Sequence, residues 1–120
     1  MLTHIRGILD QDQLATAHSL IAAGGFQDGS RSAGMAARRV KHNDELALGP
    51  AQMSKLNNLV MGSLVKHPTY RSAAMPLKIA APYYARYTPG MSYGNHVDDP
   101  IMGQGSELYR SDVSVTIFLN

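Results

Sequence analysis

Apolar residues recur at helical spacing in two stretches of the chain and alternate at strand spacing in others. Leu14, Ala17, Leu20 and Ile21 lie on one face of a helix. Asp10 stands where an N-cap belongs, Gln13 three residues later completes a capping box, and Gly24-Gly25 ends the helix. Met53, Leu56, Leu59, Val60 and Leu64 form the stripe of a second helix that starts at Pro50, a residue suited to the first helical position. His67-Pro68 closes it, because the residue before proline avoids helical backbone angles. The Met and Leu positions of this stripe are core.

The remaining segments read as strand or loop. Leu2 to Leu9 reads as a short opening strand or extended segment. Phe26 to Leu48, rich in Gly, Ser, Arg and Asn, reads as a long loop with one strand around Ala37 to Lys41. After Met75-Pro76 the period changes. Leu77 to Ala81 is expected to be extended, and Tyr83 to Tyr87 a strand of alternating aromatic and small residues. Thr88-Pro89-Gly90 is a turn by composition, and Tyr93 to Asp98 the next strand. Asp99 to Ser111 is a polar loop. From Asp112 to Asn120, Val113, Val115, Ile117 and Leu119 alternate with Ser114, Thr116 and Phe118. Helices followed by antiparallel strands define the α+β class.

Length and charge narrow the function classes. A chain of 120 residues is one domain by size, with a small core. Residues 1–75 read as a helical support region and residues 76–120 as strands. The net charge is +2. The densest basic cluster, Arg38, Arg39, Lys41 and His42, has no aromatic platform beside it and reads as a solvated loop, so nucleic acid is not an expected partner. No segment reaches the length of a membrane span, and the start has no signal-peptide core. With no cysteine, disulfides and thiolate metal sites are excluded, which fits a cytoplasmic location.

The chemistry concentrates between Arg86 and Asp98. His96 and Asp98 are two residues apart, so on a strand they project from the same face, with bases roughly 6–7 Å apart. An imidazole and a carboxylate so placed converge on one metal ion, as two arms of a 2-His-1-carboxylate facial triad do. The other reading is an incidental strand-end pair. Asp99 would face the opposite way if the strand persists. His4, His18, His42 and His67 read as surface or loop residues, Tyr83 and Tyr84 as core or wall. Arg110 and Asp112 flank a strand start, either as an ion pair or at a substrate mouth.

The run Arg86-Tyr87 to Tyr93-x-x-His96-x-Asp98, followed by Arg110-Ser111-Asp112-Val113-Ser114 and Thr116-Ile117-Phe118-Leu119, resembles the PKHD-type hydroxylases, a branch of the prolyl 4-hydroxylase-like Fe(II)- and 2-oxoglutarate-dependent dioxygenases. The Ile5-x-Gly7-Ile8-Leu9 opening and the Gly34 to Asn43 loop fit the same family. The resemblance implies N-terminal helices packed on a double-stranded β-helix, or jelly-roll. It implies hydroxylation of an unactivated C–H bond of a small-molecule or peptidyl substrate, with iron(II) as metal, 2-oxoglutarate as co-substrate and ascorbate as reductant. It makes His96 and Asp98 the proximal iron ligands. Tyr87 falls on the co-substrate pocket and Tyr93 on its wall. Phe118 falls near a position where some relatives carry a co-substrate-binding tyrosine, and lacks the hydroxyl.

The family also uses a distal His and a basic residue for the far carboxylate of 2-oxoglutarate, both on strands beyond the proximal pair. The chain ends at Asn120, and the expectation is the N-terminal half of a longer enzyme with an incomplete barrel. Its last strand would then carry an unpaired edge that favours a homodimer or aggregation. A non-catalytic remnant working as an interaction module is the alternative. A cupin-type binding protein fits less well, because His96 stands alone in its strand.

Overall fold

Asp10 starts the first helix by satisfying backbone donors that a helix leaves open. Its carboxylate accepts the Gln13 N–H at 2.7 Å, and Gln13 Oε1 accepts the Asp10 N–H at 2.9 Å. The computed structural model describes residues 1–120, and this capping box opens α1, Gln11–Ala22. The helix buries Ala17 and packs on α3, Pro50–Lys66. Gln13 also donates to Ser63 Oγ on α3 at 3.2 Å. On α3, Leu56, Val60 and Leu64 are buried at intervals of four residues, while Met53 and Leu59 are half-buried at the stripe's margins.

His67-Pro68 ends α3, as expected, and at the same point the chain starts another helix. His67 is extended, as its proline neighbour requires, and its Nδ1 accepts the Thr69 N–H at 3.3 Å, capping α4, Pro68–Ala74. Tyr70 of α4 is buried. Seven residues span too few turns to show a periodic stripe, so this helix left no clear pattern. Residues 1–25, 47–83 and 117–120 make one compact unit.

Residues 26–46 and 84–116 make the other. Phe26 to Leu48 is far more ordered than the loop expected there. It holds β1 (Gly25–Asp28), a 3-10 turn (Gly29–Ser32), α2 (Met35–Arg38), β2 (Lys41–His42) and β3 (Asp44–Ala47). The strand expected around Ala37 to Lys41 is therefore helix at its start and strand only at its end. These elements are held by side chains as much as by ladders. Asp28 accepts from both the N–H and the hydroxyl of Ser30, at 2.9 and 3.0 Å, which starts the 3-10 turn.

β3 lies between β1 and β4 (Ala85–Arg86), antiparallel to β4 with Asp44 opposite Arg86. Arg86 reaches Asp44 Oδ2 at 2.6 Å and lies 3.9 Å from the Phe26 ring centroid. β2 pairs with β5 (Ser92–Tyr93), and β6 (Ile101–Met102) pairs with β7 (Tyr109–Arg110), both antiparallel. Gly103 turns the β6–β7 connection at φ +88, where a Cβ would stand 2.3 Å from the Glu107 carbonyl oxygen.

The α+β class holds, with four α-helices and small antiparallel sheets, none of them closed. Several strand expectations are corrected. Leu2 to Leu9 forms no ladder. Tyr83 to Tyr87 contracts to Ala85–Arg86, and Tyr93 to Asp98 to Ser92–Tyr93. Asp112 to Asn120 alternates but joins no ladder, the Leu119 carbonyl bonding instead to the His18 imidazole, and Val113, Val115 and Phe118 are exposed. Alternation sets which face a residue takes once a strand is paired; it does not supply the partner.

Candidate metal centre

The turn before the site forms as its composition requires: the Met91 N–H donates to the Thr88 carbonyl at 2.9 Å, with Gly90 at φ +91. The chain then enters β5, where Tyr93 lies directly opposite Lys41 of β2. The Gly94 N–H donates to the Val40 carbonyl at 2.8 Å. A Cβ on Gly94 would come within 3.1 Å of Val40 Cβ, so glycine permits this close approach.

Beyond Gly94 the ladder stops, and His96 and Asp98 do not share a strand face. They meet by another route. His96 folds back so that its ring stacks on Tyr93, with centroids 3.7 Å apart and planes 10° apart. Its Nδ1 lies 2.7 Å from the Gly94 carbonyl oxygen, and its Nε2 lies 3.2 Å from Asp98 Oδ1.

This geometry fixes the chemistry of the imidazole. Both ring nitrogens face acceptors, and the tautomer that donates from Nδ1 to the Gly94 carbonyl is the one that leaves Nε2 a lone pair for a ligand. That lone pair faces a carboxylate oxygen, a second acceptor. Two acceptors at 3.2 Å need a positive charge between them, either a proton or a metal ion. Two cis donors of an octahedral divalent ion, each about 2.1 Å from it, stand about 3 Å apart. The 3.2 Å separation matches that of two cis donors of one ion, and a carbonyl on Nδ1 is the outer partner such a ligand ordinarily has. The site is open, with the His96 side chain 22% and that of Asp98 59% exposed. No group of three or more His, Asp or Glu side chains gathers here or elsewhere in residues 1–120.

Tyr93 thus joins His96 and Asp98 in one cluster. Tyr87 is anchored separately: Asn43 Nδ2 donates to its hydroxyl at 2.8 Å. Asn43 is buried, its Oδ1 has no hydrogen-bond partner, and a Cβ on Gly29 would sit 2.1 Å from that oxygen. Phe118 belongs to the helical unit and is exposed. Asp99 lies against Gly34, where a Cβ would come 2.5 Å from its Oδ2. Arg110 and Asp112 form an exposed ion pair at 2.6 Å.

The basic cluster needs a further correction. Lys41 is not solvated; its side chain is 8% exposed and pairs with Glu45 at 2.7 Å. Its ammonium also donates to Ser32 Oγ at 2.6 Å and stands 5.4 Å from the Tyr93 ring centroid. Ser32, Lys41, Asn43 and Glu45 surround the site without having been expected there. The one local signal is the four-residue spacing of Lys41 and Glu45, which holds in β structure here and not in a helix.

The fold is an α+β chain with an imidazole and a carboxylate in contact past the end of a short strand. No family model matches it, but known proteins do, over nearly its whole length. It is 49% identical over 119 residues to a PKHD-type hydroxylase of Thioalkalivibrio sulfidiphilus, covering 99% of this chain and 53% of that protein. Similar proteins of the same name from Hyphomonas neptunium and Thermosynechococcus vestitus are 41% and 37% identical, covering 100% of this chain and 54% of each relative. The chain is a relative of the PKHD-type hydroxylases and spans about half the length of the curated relatives it matches.

Proposed function

We propose that this chain carries the proximal metal-ligand pair of an Fe(II)- and 2-oxoglutarate-dependent hydroxylase, with His96 and Asp98 as the ligands. One observation carries the reading: Nε2 of His96 and Oδ1 of Asp98 face each other at 3.2 Å, with the other imidazole nitrogen committed to the Gly94 carbonyl. The relatives' hydroxylase names support the reaction class. When bound, iron(II) would let dioxygen serve as oxidant, one oxygen atom going to the C–H bond and the other to 2-oxoglutarate as it is decarboxylated to succinate, with ascorbate keeping the iron reduced.

The chain's own residues have definite tasks in this reading. His96 gives a neutral nitrogen donor whose tautomer Gly94 sets, and Asp98 gives the negative charge. Tyr87 and Tyr93 line the co-substrate pocket. Tyr87 Oη already accepts from Asn43, so its own proton is free to donate to a carboxylate. The distal His and the basic residue for 2-oxoglutarate that the family resemblance implies would come from outside residues 1–120. The substrate is a small molecule or a peptidyl side chain, reached without nucleic acid or membrane; no helix is long and apolar enough to cross one. The jelly-roll belongs to the same proposal, as does the cytoplasmic setting.

The experiment is a titration with Mn(II) followed by electron paramagnetic resonance. Weak binding that His96→Ala and Asp98→Ala each abolish supports the assignment; parent-like binding in both variants sinks it. A second reading, a non-catalytic interaction module, draws on the exposed and unpaired run with Val113, Val115 and Phe118. It predicts a homodimer whose dissociation follows Val115→Lys, with no metal dependence.

A further inference from the structure

We propose that Lys41 is a positioning residue for His96, acting through the ring of Tyr93; this rests on the reading of His96 as a metal ligand. His96 lies past the end of β5, so no ladder orients it. Its ring direction comes from the Gly94 carbonyl at 2.7 Å and from the Tyr93 face at 3.7 Å. A phenol ring at a strand end has two χ angles to settle, and Tyr93 settles them against Lys41.

Lys41 is placed for this by register, lying directly across the β2–β5 ladder from Tyr93. Its ammonium stands 5.4 Å from the ring centroid, inside the reach of a cation on a π face. The ammonium itself cannot wander. Glu45 Oε1 holds it at 2.7 Å and Ser32 Oγ at 2.6 Å. Ser32 is bonded in turn to Glu45 and, at 3.0 Å, to the Gly29 carbonyl. The Lys41 and Glu45 side chains are 8% and 14% exposed.

The knot therefore ties the 3-10 turn, β2 and β3 to one cation, and that cation faces the aromatic ring on which the imidazole lies. An exposed lysine could have paired with Glu45 at the surface. Burial beside Tyr93 turns the same ion pair into a support for a metal ligand. Outer partners of this kind carry about ten- to a hundredfold of metal affinity in known sites.

The test uses the 120-residue chain with Co(II) alone as the metal probe. Lys41→Met and Tyr93→Leu should each weaken Co(II) binding by about tenfold. A second readout needs no metal. The ring proton on Cε1 of His96, shifted upfield by the Tyr93 ring current, should move toward its unstacked position in Lys41→Met. An unchanged His96 resonance in folded Lys41→Met overturns the proposal, whatever happens to Co(II) affinity. Where Lys41→Met does not fold, Glu45→Leu carries the same two expectations, because it removes the carboxylate that holds the ammonium near the Tyr93 ring. Co(II) binding in the parent that His96→Ala leaves intact would remove the metal reading alone; the His96 resonance still decides the role of Lys41.

Discussion

Buried Asn43 donates its amide N–H to the hydroxyl of Tyr87 at 2.8 Å, across 44 residues of sequence. The bond takes a lone pair of the phenol oxygen and leaves the phenol proton unclaimed by Asn43. The far side of the Asn43 amide is closed by Gly29, where a Cβ would stand 2.1 Å from Oδ1 and 3.0 Å from Glu45 Cγ. Asn43, backed by Gly29 from another segment, thus fixes where the Tyr87 hydroxyl sits.

Gly29→Ala should therefore disturb Tyr87 without touching it. The added methyl has to displace the Asn43 amide, and overpacking of this kind costs about 1–3 kcal/mol. Urea unfolding monitored by circular dichroism measures the cost. A loss of less than a few tenths of a kcal/mol would mean that Asn43 moves aside freely, and that the cradle is loose.

The cap of α1 is separable from the site. Asp10→Ala should cost about 0.5–2 kcal/mol. Gln13→Ala should cost at least as much, because Gln13 loses both its half of the capping box and its bond to Ser63 on α3. Mn(II) affinity should be the same in both variants as in the parent. Weaker metal binding in a folded Asp10→Ala chain would contradict this independence.

Leu56 lies fully buried on α3. Leu56→Ala should lower stability by about 2–5 kcal/mol, the range for a large-to-small change in a core. Thermal unfolding provides the check. Leu59→Ala, at a half-buried position, should cost clearly less, and equal costs would misplace the core face of the helix.

Two groups give the pH dependence a sign. Burial pushes the Tyr84 phenol from 10.0 up to about 12. Its folded pKa lies above its unfolded one, so its contribution is complete below pH 10 and is lost as pH rises through about 12. Of six tyrosines, one should ionise last by ultraviolet absorbance, and Tyr84→Phe should delete that step. Asp28 runs the other way: hydrogen bonds from the Ser30 backbone, then from its hydroxyl, hold the carboxyl below the ordinary value of 3.8. That contribution is present above the ordinary carboxyl range and lost as acid protonates Asp28. Ser30→Ala should raise the Asp28 pKa in a carboxyl-detected NMR titration.

The proposed function makes a negative prediction as well. The 120-residue chain should release no succinate from 2-oxoglutarate with iron, ascorbate and oxygen. Two protein ligands hold the metal loosely, and a co-substrate with no counter-charge at its far carboxylate is poorly positioned. Succinate production lost in His96→Ala would require a third donor from within the chain or from a second copy, with His4, His18, His42 and His67 as the first to test.

What the sequence determined by itself depends on neighbours within a turn or two. The Asp10–Gln13 capping box, Pro50 at the start of α3, the stop at His67-Pro68, the buried Leu56–Val60–Leu64 stripe and the Thr88–Gly90 turn all work over a few residues, where propensity and periodicity act directly. The pairing of His96 with Asp98 was legible as a two-residue spacing, although the loop after Gly94, and not a strand, brings them together. Tertiary structure decided what faces what. Lys41 opposite Tyr93, Asn43 beneath Tyr87 and Asp44 against Arg86 join residues more than forty positions apart. Register and burial select such contacts, and no local pattern encodes them. The same reason left the Asp112 to Asn120 alternation unfulfilled as a strand: a β pattern states which face a residue would take, and only a partner's backbone groups complete its hydrogen bonds.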